Sequence, residues 1–408
     1  HPHLIGKRLA LVEAVLSTGA PRPAGAGPQD QVGLAAEAGP VAACERPPVL
    51  DVALLDCDDE VAGVDDPPVR ADLQRYDCRN NRLAQLGLEQ DGFADAARAA
   101  IARYGAERVG VFMGTSTSGI LSSEVAYRHR DPATGKLPAD HHYRETHNAY
   151  SVADFVRSYL HVEGPATVVS TACSSSAKVF ATAQRLIQLG LIDAAVVGGV
   201  DSLCLTTLYG FSSLQLVSPN PCKPFDAQRD GISAGEGAAF ALLERVAEPV
   251  AGAILLAGVG ESSDAYHMSS PHPEGLGARS AMAAALATAG LQPQDIDYIN
   301  LHGTATPSND SVEDIAVTAL FGNATPCSST KGYTGHTLGA AGGIEAVICA
   351  LALREGLMPG SVGTETLDPQ LHCNYLFETQ QRPLRHVLSN SFGFGGSNCS
   401  LVLSRVTA

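Results

Sequence analysis

A chain of 408 residues, 45% hydrophobic and 17% charged, holds enough apolar material for one large two-part fold and lacks the bias of a disordered or fibrous sequence. Its net charge of −16, without clustered Lys and Arg, excludes a nucleic-acid surface, and no apolar run approaches the roughly 18 residues of a membrane span. Ten cysteines without a Cys-x-x-Cys spacing argue against structural zinc and for a reducing, cytoplasmic setting.

Residues 1–50 are rich in Ala, Gly and Pro, and apart from a helix over Lys7–Leu16 they read as loop. Apolar residues at helical spacing predict helices over Tyr76–Leu88 and Phe93–Tyr104. Arg108–Met113 is a buried strand that runs into the small polar turn Gly114-Thr-Ser-Thr-Ser-Gly119. Tyr127–Tyr150 is a polar excursion carrying His129, His141, His142 and His147, and their irregular spacing does not suit a metal. The stretch Val168–Ile187 runs from an apolar strand directly into an amphipathic helix, with Cys173 at the joint. Small neighbours on both sides allow a tight turn, and a helix N-terminus favours a thiolate and lowers the thiol pKa. A buried structural cysteine is the alternative reading of that stretch alone.

Asp193–Asp201 is the next apolar strand, which implies a parallel strand–helix–strand unit. The Gly-rich Phe225–Gly237 lacks a Gly-Lys-[Ser/Thr] signature and precedes a strand over Ala238–Leu243, so it reads as a backbone-packing turn and not as a phosphate loop. The alternation then repeats, with strands over Ala253–Gly258, Ile296–Leu301, Thr325–Ser329, His386–Ser391 and Asn398–Ser404. Helices fall over Gly277–Ala289, Ser311–Leu320 and Leu338–Leu353. Two halves of similar plan result, over residues 1–250 and 251–408.

The second half places His302 after the strand ending at Leu301, and His336 in a small-residue loop that follows Lys331. A lone histidine is more often structural. Two of them and a lysine, each at a strand end of an α/β sheet as Cys173 is, mark a site.

Five stretches taken together carry a resemblance. Thr171-Ala-Cys-Ser-Ser-Ser176, Pro224-Phe-Asp226, His302-Gly-Thr-Ala-Thr306, the Lys331–Gly342 run through His336 and Asn390-Ser-Phe-Gly-Phe-Gly-Gly-Ser-Asn398 occur in this order. They resemble the elongating β-ketoacyl-[acyl-carrier-protein] synthases of the thiolase superfamily over roughly residues 105–405. The resemblance implies a five-layered α-β-α-β-α fold built from two related halves. It implies Cys173 as the acylated nucleophile, His302 and His336 as the decarboxylation and condensation pair, Lys331 with Glu345 as a supporting ion pair, and Phe394 as gate and oxyanion donor. Thr304, Thr306, Ser269, Ser270 and Phe392 would line the pantetheine and acyl channel.

The chemistry points the same way. A malonyl thioester condensation needs a soft nucleophile and donors that stabilise an enolate in a dry site. The resemblance implies no cofactor and no catalytic metal, because the substrates carry their own phosphopantetheine. Its partners are an acyl carrier protein and a second ketosynthase-like chain, as homodimer or as heterodimer with a chain-length-factor subunit. A monovalent cation beside Asn300, Glu345, Ser389 and Asn390 is compatible with it.

A non-catalytic chain-length-factor subunit is the competing function. Such subunits usually lack the cysteine, which favours an enzyme here. A thiolase-like second cysteine is sought at Cys399, which falls inside a strand instead. The segments Tyr76–Leu83, Gly114–Ile120 and Ser202–Phe211 are similar to ketosynthases of aryl-polyene or xanthomonadin-type pigment pathways. Arg70, Arg75, Arg128, Arg130 and Lys136 are the candidate basic patch for an acidic carrier.

Overall fold

The computed structural model describes residues 8–18, 68–246, 248 and 250–407; the Ala/Gly/Pro-rich loop reading of residues 19–50 lies outside them. The first half contains β1 (Arg8–Thr18), α1 (Arg79–Glu89), α2 (Phe93–Tyr104), β2 (Val109–Gly114), α3 (Ile120–Arg128), α4 (Ser151–Leu160), β3 (Ala166–Val169), α5 (Ser175–Gln188), β4 (Ala194–Asp201), α6 (Leu205–Ser213) and β5 (Gly237–Val246). The second contains β6 (Ile254–Ser263), α7 (Leu276–Ala289), β7 (Tyr298–Asn300), α8 (Pro307–Phe321), β8 (Pro326–Ser328), the single turn α9 (Lys331–Thr334) and α10 (Ala341–Glu355). It closes with β9 (Leu357–Met358), β10 (Asn374–Tyr375), β11 (Gln380–Gln381), β12 (His386–Gly393) and β13 (Ser397–Arg405).

The strands run β3-β2-β4-β5-β1 in the first half and β8-β7-β12-β13-β6 in the second, where the two-residue β10 adds an outer edge beside β8. With the two-residue strands β9, β10 and β11 set aside and the rest numbered within each half, both orders are third-second-fourth-fifth-first, so a shared plan of the halves is visible in topology although no residue repeat announces it. In each half the first three of these neighbours pair in parallel and the rest antiparallel. The halves join where β1 meets β6 over Ala10↔Leu255 and Leu11↔Ile254. Helices α5 and α10 lie between the two sheets and touch strands of both, while α1, α2 and α4 cover the outer face of the first sheet and α7 that of the second, backed by α8. These are the five layers expected.

Alternation along the strands divides the core among the layers. Val111, Met113, Val196 and Leu242 face the outer helices of the first half, whereas Phe112, Val197 and Leu243 face the central pair with Val179, Phe180 and Leu353. In β13, Leu401 and Leu403 face the centre, and Val402 joins Met282, Leu286 and Val317 on the far side. Buried on both faces, such strands read as continuous apolar runs.

One expectation fails. The helix placed over Lys7–Leu16 is strand β1, paired in antiparallel register with β5 from Arg8↔Val246 to Thr18↔Gly237, with one irregularity between Leu11 and Glu13. A ladder of that length outweighs a local helical preference. The polar excursion after Tyr127 is a set of turns between α3 and α4, and its four histidines gather into no metal-binding group among the described residues. Among those residues no helix is long and apolar enough to cross a membrane, and the eight described cysteines are free and buried.

Candidate active site

The turn that carries Cys173 is built from small residues and one strained backbone. After β3, Ala172 adopts φ +52°, a left-handed conformation that a non-glycine residue holds only when its surroundings fix it. The neighbouring hydroxyls do so. Ser175 Oγ accepts from Thr171 N at 2.9 Å and donates to Ala172 O at 2.5 Å, and Ser174 Oγ donates to Thr171 O at 3.0 Å. The first turn of α5 rests on the end of β2 at Gly114, where a Cβ would sit 2.3 Å from Ser176 N. Cys173 is left buried, facing a cavity.

His336 follows α9 on a loop clamped by the Gly-rich segment before β5. His336 N donates to Ser233 O at 2.7 Å and Gly235 N to His336 O at 3.0 Å, so that segment is the backbone-packing turn read from sequence. The clamp brings His336 Nε2 to 3.1 Å from Cys173 Sγ. His302, beyond the end of β7, stands edge-on to His336 with ring centroids 5.3 Å apart. Glu313, on α8, fixes its backbone by accepting from His302 N at 2.8 Å and Gly303 N at 2.7 Å. Behind His302 lies buried Lys331, which donates to His302 O at 2.5 Å, contacts His302 Nδ1 at 3.4 Å and forms an ion pair with Glu345. An ammonium only donates, so Nδ1 is the acceptor and Nε2 carries the ring proton.

The electrostatics correct one expectation. Burial pushes the Cys173 thiol up to about 11, with the Asp201 charge adding to it and Lys331 and the Phe394 backbone N–H opposing. Desolvation therefore outweighs the helix end, and the free site holds a thiol, not a thiolate. Burial, seconded by the Lys331 charge, also holds both histidines well below the usual imidazole range. At neutral pH the cluster is a neutral thiol facing two neutral imidazoles. Burial lifts the Glu345 carboxyl to about 7 against the pull of Lys331, and the Glu313 carboxyl to about 7 against its backbone donors.

The cavity is lined by Cys173, His302 and His336 together with Thr304, Thr306, Ser269, Ser270, Phe392 and Phe394. Lys331 and Glu345 are not in its wall; they act from behind His302. Thr304 and Thr306 hydroxyls lie 2.9 Å apart, and Thr306 caps α8 by accepting from Asn309 N. Phe394, 37% exposed, stacks at a tilt on Phe211 with centroids 5.8 Å apart. Phe211, Glu313 and Asp201 were not anticipated. Glu313 carried a signal, as the second acid after His302, one helical turn beyond Asp310. Cys399 lies buried in β13 and does not line the cavity.

Comparison with known proteins agrees with this geometry. Residues 81–248 match the family model described as beta-ketoacyl synthase, N-terminal domain, and residues 253–365 match beta-ketoacyl synthase, C-terminal domain. The 3-oxoacyl-[acyl-carrier-protein] synthase 2 of Staphylococcus aureus (strain COL) is 33% identical over 335 residues, covering 74% of this chain and 76% of the relative. That of Rhizobium meliloti (strain 1021) is 41% identical over 262 residues, covering 60% and 62%. A chain of the solved complex of a ketosynthase (ApeO) with its chain length factor (ApeC) from Xenorhabdus doucetiae superposes with a TM-score of 0.81 at 37% identity over 100% of this chain and 99% of its own. The chain belongs to the β-ketoacyl-[acyl-carrier-protein] synthases of the thiolase superfamily.

Proposed function

We propose that the chain extends carrier-bound acyl groups by decarboxylating Claisen condensation on Cys173, and the observation that carries this reading is the 3.1 Å contact between His336 Nε2 and Cys173 Sγ, beside a second neutral histidine backed by Lys331. In the first step Sγ attacks the thioester carbonyl of an acyl carrier protein. Its proton passes through His336 to the departing pantetheine sulfur, leaving an acyl-Cys173 thioester and a free carrier thiol. A thiol held near 11 suits this order, since deprotonation waits for an electrophile.

Once sulfur is acylated it offers no proton; His302 donates its Nε2–H to the thioester oxygen of an incoming malonyl-carrier, and His336 joins it in the tautomer that carries the ring proton on Nε2, the nitrogen that faces Cys173. The malonyl C–COO⁻ bond breaks, CO₂ leaves, and its electron pair becomes an enolate held by those two donors. The enolate carbon attacks the acyl carbonyl; a C–C bond forms, the C–S bond to Cys173 breaks, and the departing thiolate takes up one proton from solvent through His336, which restores the thiol. Neutral imidazoles donate without adding a second buried charge beside Lys331. Phe394, through its backbone N–H, stabilises charge at the sulfur end, and its ring with Phe211 closes the cavity against water. Thr304, Thr306, Ser269, Ser270 and Phe392 guide the pantetheine arm and acyl chain.

Asn300 Oδ1 and Glu345 Oε2 are buried without hydrogen-bond partners among the described residues. Ser389 Oγ is orphaned in the same way, and a monovalent cation held by Asn300, Glu345, Ser389 and Asn390 would supply these oxygens with a partner and steady the carboxylate that positions Lys331.

For partners, we read an acidic carrier protein meeting the patch of Arg75, Arg128, Arg130 and Lys136. Arg70 belongs to it less, being paired with Asp72 at 2.6 Å and lying over the Tyr159 ring. Likeness over the whole chain to a member of the ApeO–ApeC complex favours a heterodimer with a second ketosynthase-like subunit over a homodimer, and the segments Tyr76–Leu83, Gly114–Ile120 and Ser202–Phe211 favour an aryl-polyene type of pathway over housekeeping fatty-acid synthesis. Co-expression with a candidate partner, followed by CO₂ and product measurement from malonyl-carrier, tests the reading. The competing reading as a non-catalytic subunit predicts no CO₂ release at all.

A further inference from the structure

Two stretches that stand out in the sequence have no part in the mechanism above: the hydroxyl-rich turn Gly114-Thr-Ser-Thr-Ser-Gly119, and Asp201 at the end of β4. They meet. The Asp201 side chain is fully buried and forms no ion pair with Lys, Arg or His among the described residues. Neutral donors surround it instead. Oδ1 accepts from Thr115 Oγ1 at 2.6 Å, Ser116 N at 2.8 Å, Thr117 N at 2.9 Å and Thr117 Oγ1 at 2.8 Å. Oδ2 accepts from Ser116 Oγ at 2.6 Å and from Gly339 N at 2.5 Å.

Gly339 N is the donor that matters for catalysis. It lies three residues after His336, in the turn Leu338–Ala340 that starts α10, and Leu338 there holds φ +51°. A Cβ on Gly339 would come within 2.7 Å of Ser116 N and 2.8 Å of Asp201 Oδ2, so the turn is seated directly on the carboxylate. The other face of the knot is the end of β2, on which the first turn of α5 rests. One carboxylate thus ties the segment carrying His336 to the strand end that supports Cys173.

We propose that Asp201 is a positioning residue for the condensation: its carboxylate, held by the Thr115–Thr117 turn, fixes the Leu338–Ala340 turn and through it sets His336 against Cys173. The inference rests on the catalytic reading above. It accounts for the turn's composition, because a buried carboxylate with no cation has to collect charge-assisted hydrogen bonds from N–H and O–H groups. It also accounts for an acid at a place where either orientation of an amide would aim its NH₂ at backbone N–H groups, those of Ser116 and Thr117 or that of Gly339, which cannot accept.

The test is Asp201→Asn in the full chain, with the partner subunit if activity requires it, assayed beside the wild type. Thermal unfolding establishes that the variant is folded. The expected result is a fall in condensation kcat of tenfold or more with KM for malonyl-carrier within twofold. The pH midpoint of Cys173 alkylation should also move down, because the Asp201 charge acts on that thiol in the raising direction, against Lys331 and the Phe394 N–H. A folding defect alone would lower active-site titre without moving that midpoint. Ser116→Ala combined with Thr117→Val loosens the same knot and leaves the charge. It should fold, lose kcat about threefold to tenfold, and keep the alkylation midpoint; this variant decides the matter should the first not fold. Unchanged kcat in a folded Asp201→Asn, or in the double variant where the first is unfolded, overturns the inference. A wild type that releases no CO₂ overturns the catalytic reading instead.

Discussion

Lys331→Met separates what Lys331 does for the fold from what it does for His302. The lysine side chain is 1% exposed and the Glu345 side chain 2%, so removing the ammonium leaves an uncompensated acid in a dry site, a loss of about 3–5 kcal/mol for buried pairs. Glu345 limits that loss by taking a proton, since burial already holds its carboxyl near 7 and the loss of Lys331 raises it further. The sign follows. The stability deficit of the variant grows as pH rises above about 7 and shrinks as pH falls through it. The rate is a different matter, because the same ammonium contacts His302 Nδ1 and O. Losing charge-assisted bonds of about 1.5–3 kcal/mol frees the His302 tautomer and slows decarboxylation about tenfold to a hundredfold. Urea unfolding at pH 6 and 8 and CO₂ release from malonyl-carrier measure the two effects. Adding Glu345→Gln should restore most of the stability and none of the rate. If the double variant regains its rate, Lys331 is a structural partner of Glu345 and the tautomer argument is wrong.

Cys173 should be alkylated ahead of Cys78 and Cys399, whose thiols burial pushes to about 12, and its rate should climb about tenfold per pH unit from 7 to 9; a flat profile with a plateau below pH 7 would show a preformed thiolate–imidazolium pair. His302→Ala should still accept an acyl group on Cys173 and lose decarboxylation about a hundredfold, whereas His336→Ala should slow both steps because it removes the partner of Sγ; intact mass and CO₂ release, measured separately, distinguish them. Arg75→Glu with Arg128→Glu should raise KM for carrier-bound substrate, most strongly at low salt, and leave turnover of an N-acetylcysteamine thioester unchanged. Equal losses on both substrates would make the pair structural.

That Cys173, His302 and His336 come together was legible in the sequence because they sit at strand ends within short runs of small residues, and an open α/β sheet gathers strand ends on one edge. Cys173, His302 and His336 are 129 and 34 residues apart in the chain, and the repeated strand order of the halves brings them together. What stayed hidden depended on tertiary context. Residues 8–18 have a helical look in isolation, and only pairing with β5 makes them a strand. The thiol's ionisation was misjudged because the helix end is local and visible, whereas the desolvation that outweighs it comes from burial no single stretch displays. Asp201 reads as an ordinary acid until the structure shows the N–H groups of Ser116, Thr117 and Gly339 aimed at it. Phe211 meets Phe394 across 183 residues, a contact no spacing rule anticipates.

The most direct test of the central claim follows both half-reactions on one sample. Incubated with an acyl-carrier substrate, with a partner subunit where one is needed, the chain should gain the acyl mass on the peptide containing Cys173. On addition of malonyl-carrier that mass should disappear, with one CO₂ and one two-carbon-longer β-ketoacyl-carrier formed for each adduct lost. An adduct on any other cysteine, or CO₂ release that leaves the Cys173 adduct in place, would contradict the account.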